Sequence, residues 1–529
     1  MKPRHARWIV IAATGAAVIL AAAVRGESEP PAAKPELVLR YIYSTDANDL
    51  LVPLIKRFNG ESHRLGKREI RVDGLGLRSG EAEATLAAGD ARAELWTPAS
   101  SLWGGLLNHN VSDAWVPAGK PVSLVYSQQV IAMWRSMAEA LGYPRKVGWK
   151  DIVDLATSKR TWADYGHRNY GRFLLGHTNP GYSTSGLSAV ASDYYAVTGK
   201  RSGLSVSDVR DPGARARVRA IERSIVHYGE TADNLIEKML LYGRGYAHAA
   251  YVQKTNLGKL PPKQAARLVA IEPADGTLVA DYPLYVLAAP WVSPDARAAA
   301  EAFRRWLAPK VTAEDAAASG FDIHRPTGLS ELEPPAPEVL AAIQDAWHED
   351  RKPANIVVVM DTSKSMDEGG RLEAAQQGLQ SFLQELSADD RFALVTSGDA
   401  NVPLGVLGTR RPSVSREISA LFPAGDEPVY PAVSRALESL RTLDDRARIN
   451  AVVVLSDGAG TSVGRGKLLR EIAAEPVTEG TGVRIFTVAY GTSQDAAALQ
   501  EIASESDGVF FAGGPKDIND VYRRILSYF

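Results

Sequence analysis

From Leu37 onward the chain alternates short apolar runs with longer stretches in which apolar side chains return every three to four positions. The first pattern suits strands and the second helices. It predicts strands over residues 37–43, 70–75, 94–97, 173–176, 246–252 and 284–289. It predicts helices over 50–58, 136–141, 185–197, 214–228, 234–241 and 296–307. Strands that take turns with helices point to an α/β architecture with mainly parallel sheet.

Pro326, Pro334, Pro335, Pro337 and Pro353 interrupt the pattern around a short amphipathic helix at 339–347. From Ala354 it restarts, with strands at 356–360, 391–396, 451–455, 484–490 and 509–511 and an edge hairpin formed by 402–407. Helices are expected at 372–386, 429–440, 496–503 and 518–527. The runs 356–360 and 451–455 are apolar without interruption, which a sheet covered by helices on both faces requires. No fixed-period repeat is visible, which argues against a solenoid or propeller. The divisions that follow are 37–326, a linker with a short helix at 327–353, and 354–529. The linker reads either as a hinge or, through Trp347, as a pin between the two regions.

The first residues have a different pattern. Lys2, Arg4 and Arg7 precede an apolar run over 8–24, and Arg25 and Glu27-Ser28-Glu29-Pro30-Pro31 follow it. Residues 1–25 read as a signal peptide or an N-terminal membrane anchor, and 26–36 as a tether. Either way the remainder lies outside the cytoplasm, secreted, at the cell surface or held at the cytoplasmic membrane. At roughly 100–200 residues per domain, 529 residues make two to four folded units. A formal net charge of −2 offers no field for nucleic acid. The absence of cysteine excludes disulfides, thiolate metal sites, cysteine nucleophiles and a lipid-modified N-terminal cysteine.

Two of the buried strands run straight into acids. The run 356–360 ends in Asp361-Thr362-Ser363-Lys364-Ser365, and 451–455 ends in Ser456-Asp457-Gly458. Ligands bind at the carboxyl edge of an open parallel sheet. Carboxylates and hydroxyls at such an edge suit a hard cation, Mg2+, Mn2+ or Ca2+, better than zinc or copper. These residues resemble the metal-ion-dependent adhesion site of von Willebrand factor A-type (vWA) domains. The resemblance covers about 354–529 and implies a doubly wound, Rossmann-like sheet. It implies that Ser363 and Ser365 ligate the metal directly and that Asp361 and Asp457 do so directly or through water. It also implies an open coordination position, filled by a carboxylate from a partner protein. Where the family usually places a threonine, this chain has Glu427, in Gly425-Asp426-Glu427-Pro428. Glu427 therefore stands as a fifth candidate ligand, one that either strengthens cation binding, closes the open position or marks a site that has lost its metal. Asp367 and Glu368 read as solvated first-turn acids.

The stretch 37–326 resembles the periplasmic solute-binding proteins of ABC importers, in their two-lobed (type II) form with two crossovers. Tyr43-Ser44-Thr45-Asp46, the turn around Trp96 to Trp103, Gly176 to Gly186, Ala249-Ala250-Tyr251 and the segment from Ala302 to Phe321 carry that resemblance. Ser44, Thr45, Ser183, Thr184 and Ser185 place hydroxyls at expected helix starts, where free N–H groups favour a carboxylate or oxyanion. The same residues are also ordinary helix caps that need no ligand. Tyr251 is a further candidate for lining a cleft, with Trp96, Trp103 and Trp115.

Catalytic patterns are missing. The nine histidines, His5, His63, His109, His167, His177, His227, His248, His324 and His348, show no metal-ligand spacing. Gly181-Tyr182-Ser183-Thr184-Ser185 lacks the last glycine of a nucleophile elbow. The expectation is an exported binding protein and not an enzyme. Its vWA domain would capture an acidic partner through a metal, and its first region would hold a small solute or oxyanion. The alternative is the substrate-binding component of an ABC-type transporter with a vWA docking domain.

Overall fold

The computed structural model describes residues 36–529 except 145–146, 425–427, 459–462, 475–481 and 492–494. The leader at 1–25, most of the tether and Glu427 lie outside the described residues. Among those described, no helix is long and apolar enough to cross a membrane.

The first sheet has the strand order Arg64–Leu65, Arg68–Leu77, Glu36–Ser44, Leu95–Thr97, Pro283–Val286, Val122–Ser123. Glu36–Ser44 runs parallel to both neighbours, and Pro283–Val286 returns antiparallel. The second sheet has the order Leu268–Ile271, Ser127–Trp134, Ala249–Gln253, Leu175–Thr178, Ile225–Gly229. The chain passes between the sheets twice, from Val122–Ser123 to Ser127–Trp134 and from Val279–Ala280 back to Pro283–Val286. Two α/β lobes joined by two crossovers result.

Sequence pattern missed Ser127–Trp134, although all eight of its residues are buried. Its polar start hid it: the amides of Gln128 and Gln129 are satisfied by Glu272 and by the Ser185 carbonyl. The helix expected over 214–228 is two elements. Pro212–Glu222 is helical, the Ser224 N–H closes a turn on Ile221, and Ile225–Gly229 pairs parallel with Leu175–Thr178. Val218, Ile221, Ile225 and Tyr228 keep a helical spacing across that break, so periodicity alone does not show it.

The third sheet has the order Gly405–Val406, Arg391–Thr396, Ala354–Met360, Ile449–Ser456, Arg484–Tyr490, Phe510–Gly513. It is parallel apart from its first, two-residue strand. The expected hairpin at 402–407 is reduced to that strand, because Leu407–Ser419 turns helical and buries Leu407, Val414 and Ile418. Ala354–Met360 and Ile449–Ser456 are buried throughout and lie in register, Met360 beside Leu455. Their acidic extensions therefore emerge side by side. On one face Val357, Val359, Val452 and Val454 pack with helix Val429–Leu443. On the other, Ile356, Val358, Val453 and Leu455 belong to an apolar core continuous with that of the two lobes.

The junction is a pin. Helix Pro337–Asp350 buries Val339, Leu340, Ile343 and Trp347. Trp347 Nε1 donates to Glu222 at 3.1 Å, and Asp350 accepts from Arg215 at 2.8 Å and from Arg219. Beyond it, Arg351 pairs with Asp390 at 2.6 Å. The second lobe is also tied to the third sheet directly, by Lys238 to Asp507 at 2.8 Å and by Arg484 to Tyr246 at 3.2 Å.

Candidate functional site

The backbone N–H of Asp361 donates to Leu455 O at 2.9 Å and so holds the two strand ends together. One oxygen of Asp361 accepts the Ser363 N–H at 2.8 Å, and the other accepts the Ser456 hydroxyl at 2.6 Å. Ser363 Oγ and Ser365 Oγ stand 3.0 Å apart. Gly458 follows Asp457 with φ +72°, a conformation that costs a residue with a side chain. Asp361, Ser363 and Asp457 are all buried. The structure thus brings four of the five proposed ligands to one sheet edge. For the fifth, Ala424, the last described residue before 425–427, donates its N–H to Thr362 O at 2.7 Å. Asp367 and Glu368 are exposed.

The donors are two carboxylates and hydroxyls, a set of hard oxygens that fits a small divalent cation. Among the described residues no group of three acids or histidines could hold a metal ion by itself, and the hydroxyls add to the two carboxylates at this edge. Arg371, which sequence reasoning did not single out, donates from Nη1 to Asp457 at 3.2 Å and to Ser365 O at 3.0 Å. Its guanidinium offsets part of the negative charge that a cation would need.

A second site lies between the lobes. Ser44, Thr45, Ser183, Thr184 and Ser185 all line one small void, with Asp46, Arg78, Ser79, Glu230 and Thr231. The elements explain the convergence, because Ser79–Ala88, Thr184–Thr198 and Ala232–Tyr242 all start there. Thr231 caps its helix through its side chain, whereas Ser44 and Ser183 make no capping bond. The lobes are in contact across the void. Trp103 Nε1 donates to Thr184 Oγ1 at 2.7 Å, and the Gly80 N–H donates to Tyr182 O at 3.0 Å.

Tyr251 is not part of this cleft. It is fully buried, and its hydroxyl donates to Asp193 of helix Thr184–Thr198 at 3.2 Å. That bond seats the side chain against the helix, and Tyr251 does not line the void. Trp103 is buried too but reaches the void through its N–H. Sequence reasoning missed Arg78, Ser79, Glu230 and Thr231, and the only local signal was Ser79-Gly80 after a strand.

A family model described as bacterial extracellular solute-binding protein matches residues 39–322, and the model for the von Willebrand factor type A domain matches 355–524. The chain belongs to the bacterial extracellular solute-binding family and carries a vWA domain behind the family's fold. A periplasmic thiamin binding protein is similar at 13% identity, covering 59% of this chain and 94% of its own, with TM-score 0.42. A periplasmic binding protein from Actinobacillus pleuropneumoniae, with exogenous fructose-6-phosphate bound, has 13% identity, 60% and 98% coverage and TM-score 0.42. A von Willebrand factor type A protein from Catenulispora acidiphila has 19% identity and TM-score 0.29 over 33% of this chain and 42% of its own. No curated protein matches the chain.

Proposed function

We propose that this protein is an extracytoplasmic receptor that holds a small solute between its lobes and captures a partner protein at its vWA site. Asp361, Ser363, Ser365 and Asp457 would hold Mg2+, Mn2+ or Ca2+, with Glu427 as a further candidate ligand. The cation would offer a position to a carboxylate of the partner. The observation that supports the reading most is the convergence of those four side chains at one sheet edge, with Ser363 and Ser365 hydroxyls 3.0 Å apart. Asp361 also orders the loop, through Ser363 N–H and Ser456 Oγ, which supports a site arranged ahead of any cation.

The two-lobed fold also suits the substrate-binding component of an ABC-type transporter, with the vWA domain as a docking handle. A transport component must open to release its solute. Here Asp90 of the first lobe and Glu230 of the second both pair with the C-terminal helix, through Arg523 at 3.6 Å and Arg524 at 3.0 Å. Links from one helix to both lobes, each weak on its own, favour sensing over release.

The test is a calorimetric titration of the protein with each cation, beside Asp361→Ala. Saturable binding that the substitution removes is the expected result. Equal binding by both proteins, or none by the parent, would sink the metal-dependent part of the reading.

A further inference from the structure

Arg78 stands between strand Arg68–Leu77 and helix Ser79–Ala88, with its side chain 6% exposed. Its Nε donates to Glu81 at 3.0 Å, and its guanidinium lies 5.0 Å from the centre of the Tyr182 ring. Nη1 and Nη2 are buried and have no hydrogen-bond partner among the described residues. A guanidinium taken out of water needs its donors satisfied, and leaving them unmade is costly. Arg78 is among the residues that line the void between the lobes. The neighbours are donors as well: the Ser183 hydroxyl, which makes no capping bond, and the first-turn N–H groups of helix Thr184–Thr198.

Resting on the solute-binding reading above, we propose that the cleft takes a phosphoryl-type oxyanion, with the terminal nitrogens of Arg78 forming a planar two-point contact to it. Guanidinium geometry matches two oxygens of such a group, and helix starts add partial positive charge. The acids of the void set the choice of anion. Glu230 is engaged by Arg524 at 3.0 Å and by the Tyr528 hydroxyl at 2.9 Å. Asp46 accepts from Ser44 Oγ at 3.2 Å and Tyr282 OH at 3.4 Å. Burial, with Asp233 adding to it, pushes the Asp46 carboxyl up from its usual range. A carboxylate beside the ligand repels a fully ionised anion and accepts a hydrogen bond from one that keeps a proton. Hydrogen phosphate has such a proton near neutrality, a phosphate monoester keeps one only in part because its second pKa is about 6, and sulfate has none. The void is about 20 Å³, room for roughly one water, so the lobes must part a little for any oxyanion.

The experiment titrates the full chain with inorganic phosphate, glycerol 3-phosphate, sulfate and a neutral sugar, for the parent and for Arg78→Gln, Arg78→Lys and Ser183→Ala. Phosphate or the monoester is expected to bind saturably and at least tenfold more tightly than sulfate. Arg78→Gln should weaken it on the order of a hundredfold, with Arg78→Lys and Ser183→Ala in between. Binding of phosphate itself identifies a free anion, and binding of the monoester alone identifies the head of a larger solute; both support the proposal. Sulfate binding as well as phosphate, or phosphate affinity unchanged in Arg78→Gln, overturns it. Binding of the neutral sugar instead, unchanged in Arg78→Gln, overturns the oxyanion while the solute-binding reading stands. No binding of any of the four overturns the proposal too. If Arg78→Gln fails to fold, Arg78→Lys and Ser183→Ala still decide.

Discussion

His248 shows how a single side chain ties this fold to pH. Its Nδ1 accepts two N–H groups, from Trp162 Nε1 and from the Leu174 backbone, each at 2.9 Å. A proton on that nitrogen would leave both donors facing a third. Burial, helped by the charge of nearby Arg244, lowers the pKa to about 3. The folded state therefore binds a proton less readily than the unfolded chain, whose histidines titrate near 6.5. Stability from His248 is complete above about pH 6.5 and drains away as pH falls from there toward 3. A loss on the order of a few kcal/mol over that range is expected. His248→Asn should flatten the part of the pH profile between 6.5 and 4, seen by urea unfolding at each pH. Parent and variant profiles of the same slope there would refute the assignment. None of this was legible in sequence, where His248 is one of nine scattered histidines; its role is made by Trp162 and Leu174, both distant along the chain. The places where Asp361 and Asp457 emerge were legible, because Asp361 directly follows an apolar run and Asp457 follows another after Ser456. Arg78 was not, since an arginine at a strand end is ordinary until the opposite lobe covers it.

Elements were legible where burial on both faces leaves an unbroken apolar run, as in Ala354–Met360 and Ile449–Ser456. They were lost where polar side chains find partners across the fold, as in Ser127–Trp134. Helix Ser79–Ala88 was missed for a related reason. Its Ser-Gly start is poor helix sequence, used here so that the helix end can lie against the other lobe. A Cβ on Gly80 would lie 2.3 Å from Gly181 O, 2.6 Å from Trp103 Cη2 and 2.8 Å from Tyr182 Cα. Two of those atoms are backbone of the opposite lobe, so no rotamer change relieves the clash. Gly80→Ala should hold the lobes apart at a cost of about 1–3 kcal/mol, the usual penalty of overpacking. Scattering should then report a more open molecule. An unchanged scattering profile would mean that the contact at Gly80 is not made in solution.

At the scale of the molecule, the helix Ile518–Leu526 touches everything that matters. Toward the cleft, Arg524 reaches Glu230, which lines the void, and Arg523 reaches Asp90. Toward the vWA side, the Tyr522 ring packs against Gly378, where an added Cβ would lie 3.0 Å from two ring carbons. Gly378 belongs to helix Arg371–Glu385, whose first residue donates to Asp457 and to Ser365 O. The two candidate sites are thus joined by a pair of packed helices that begin or end on each of them. Packed helices shift as units, so parting the lobes must either break the grip on Glu230 or carry the helix along. Linkage then requires the effect to be mutual: an anion in the cleft changes cation affinity by the factor by which the cation changes anion affinity. We expect a factor of at least about five, the low end of typical coupling. Arg524→Ala should abolish it and leave the separate cation affinity nearly intact, while the Glu230 carboxylate that it frees weakens anion binding. Arg524 is 43% exposed, and an ion pair that open contributes little to stability. Titrating Mg2+ with and without inorganic phosphate, in the parent and in Arg524→Ala, measures the coupling directly. Identical cation affinity in both conditions for the parent would show that the contacts join the sites without conveying occupancy. Coupling that survives in Arg524→Ala would place its route in the buried junction of Trp347, Glu222 and Lys238 instead.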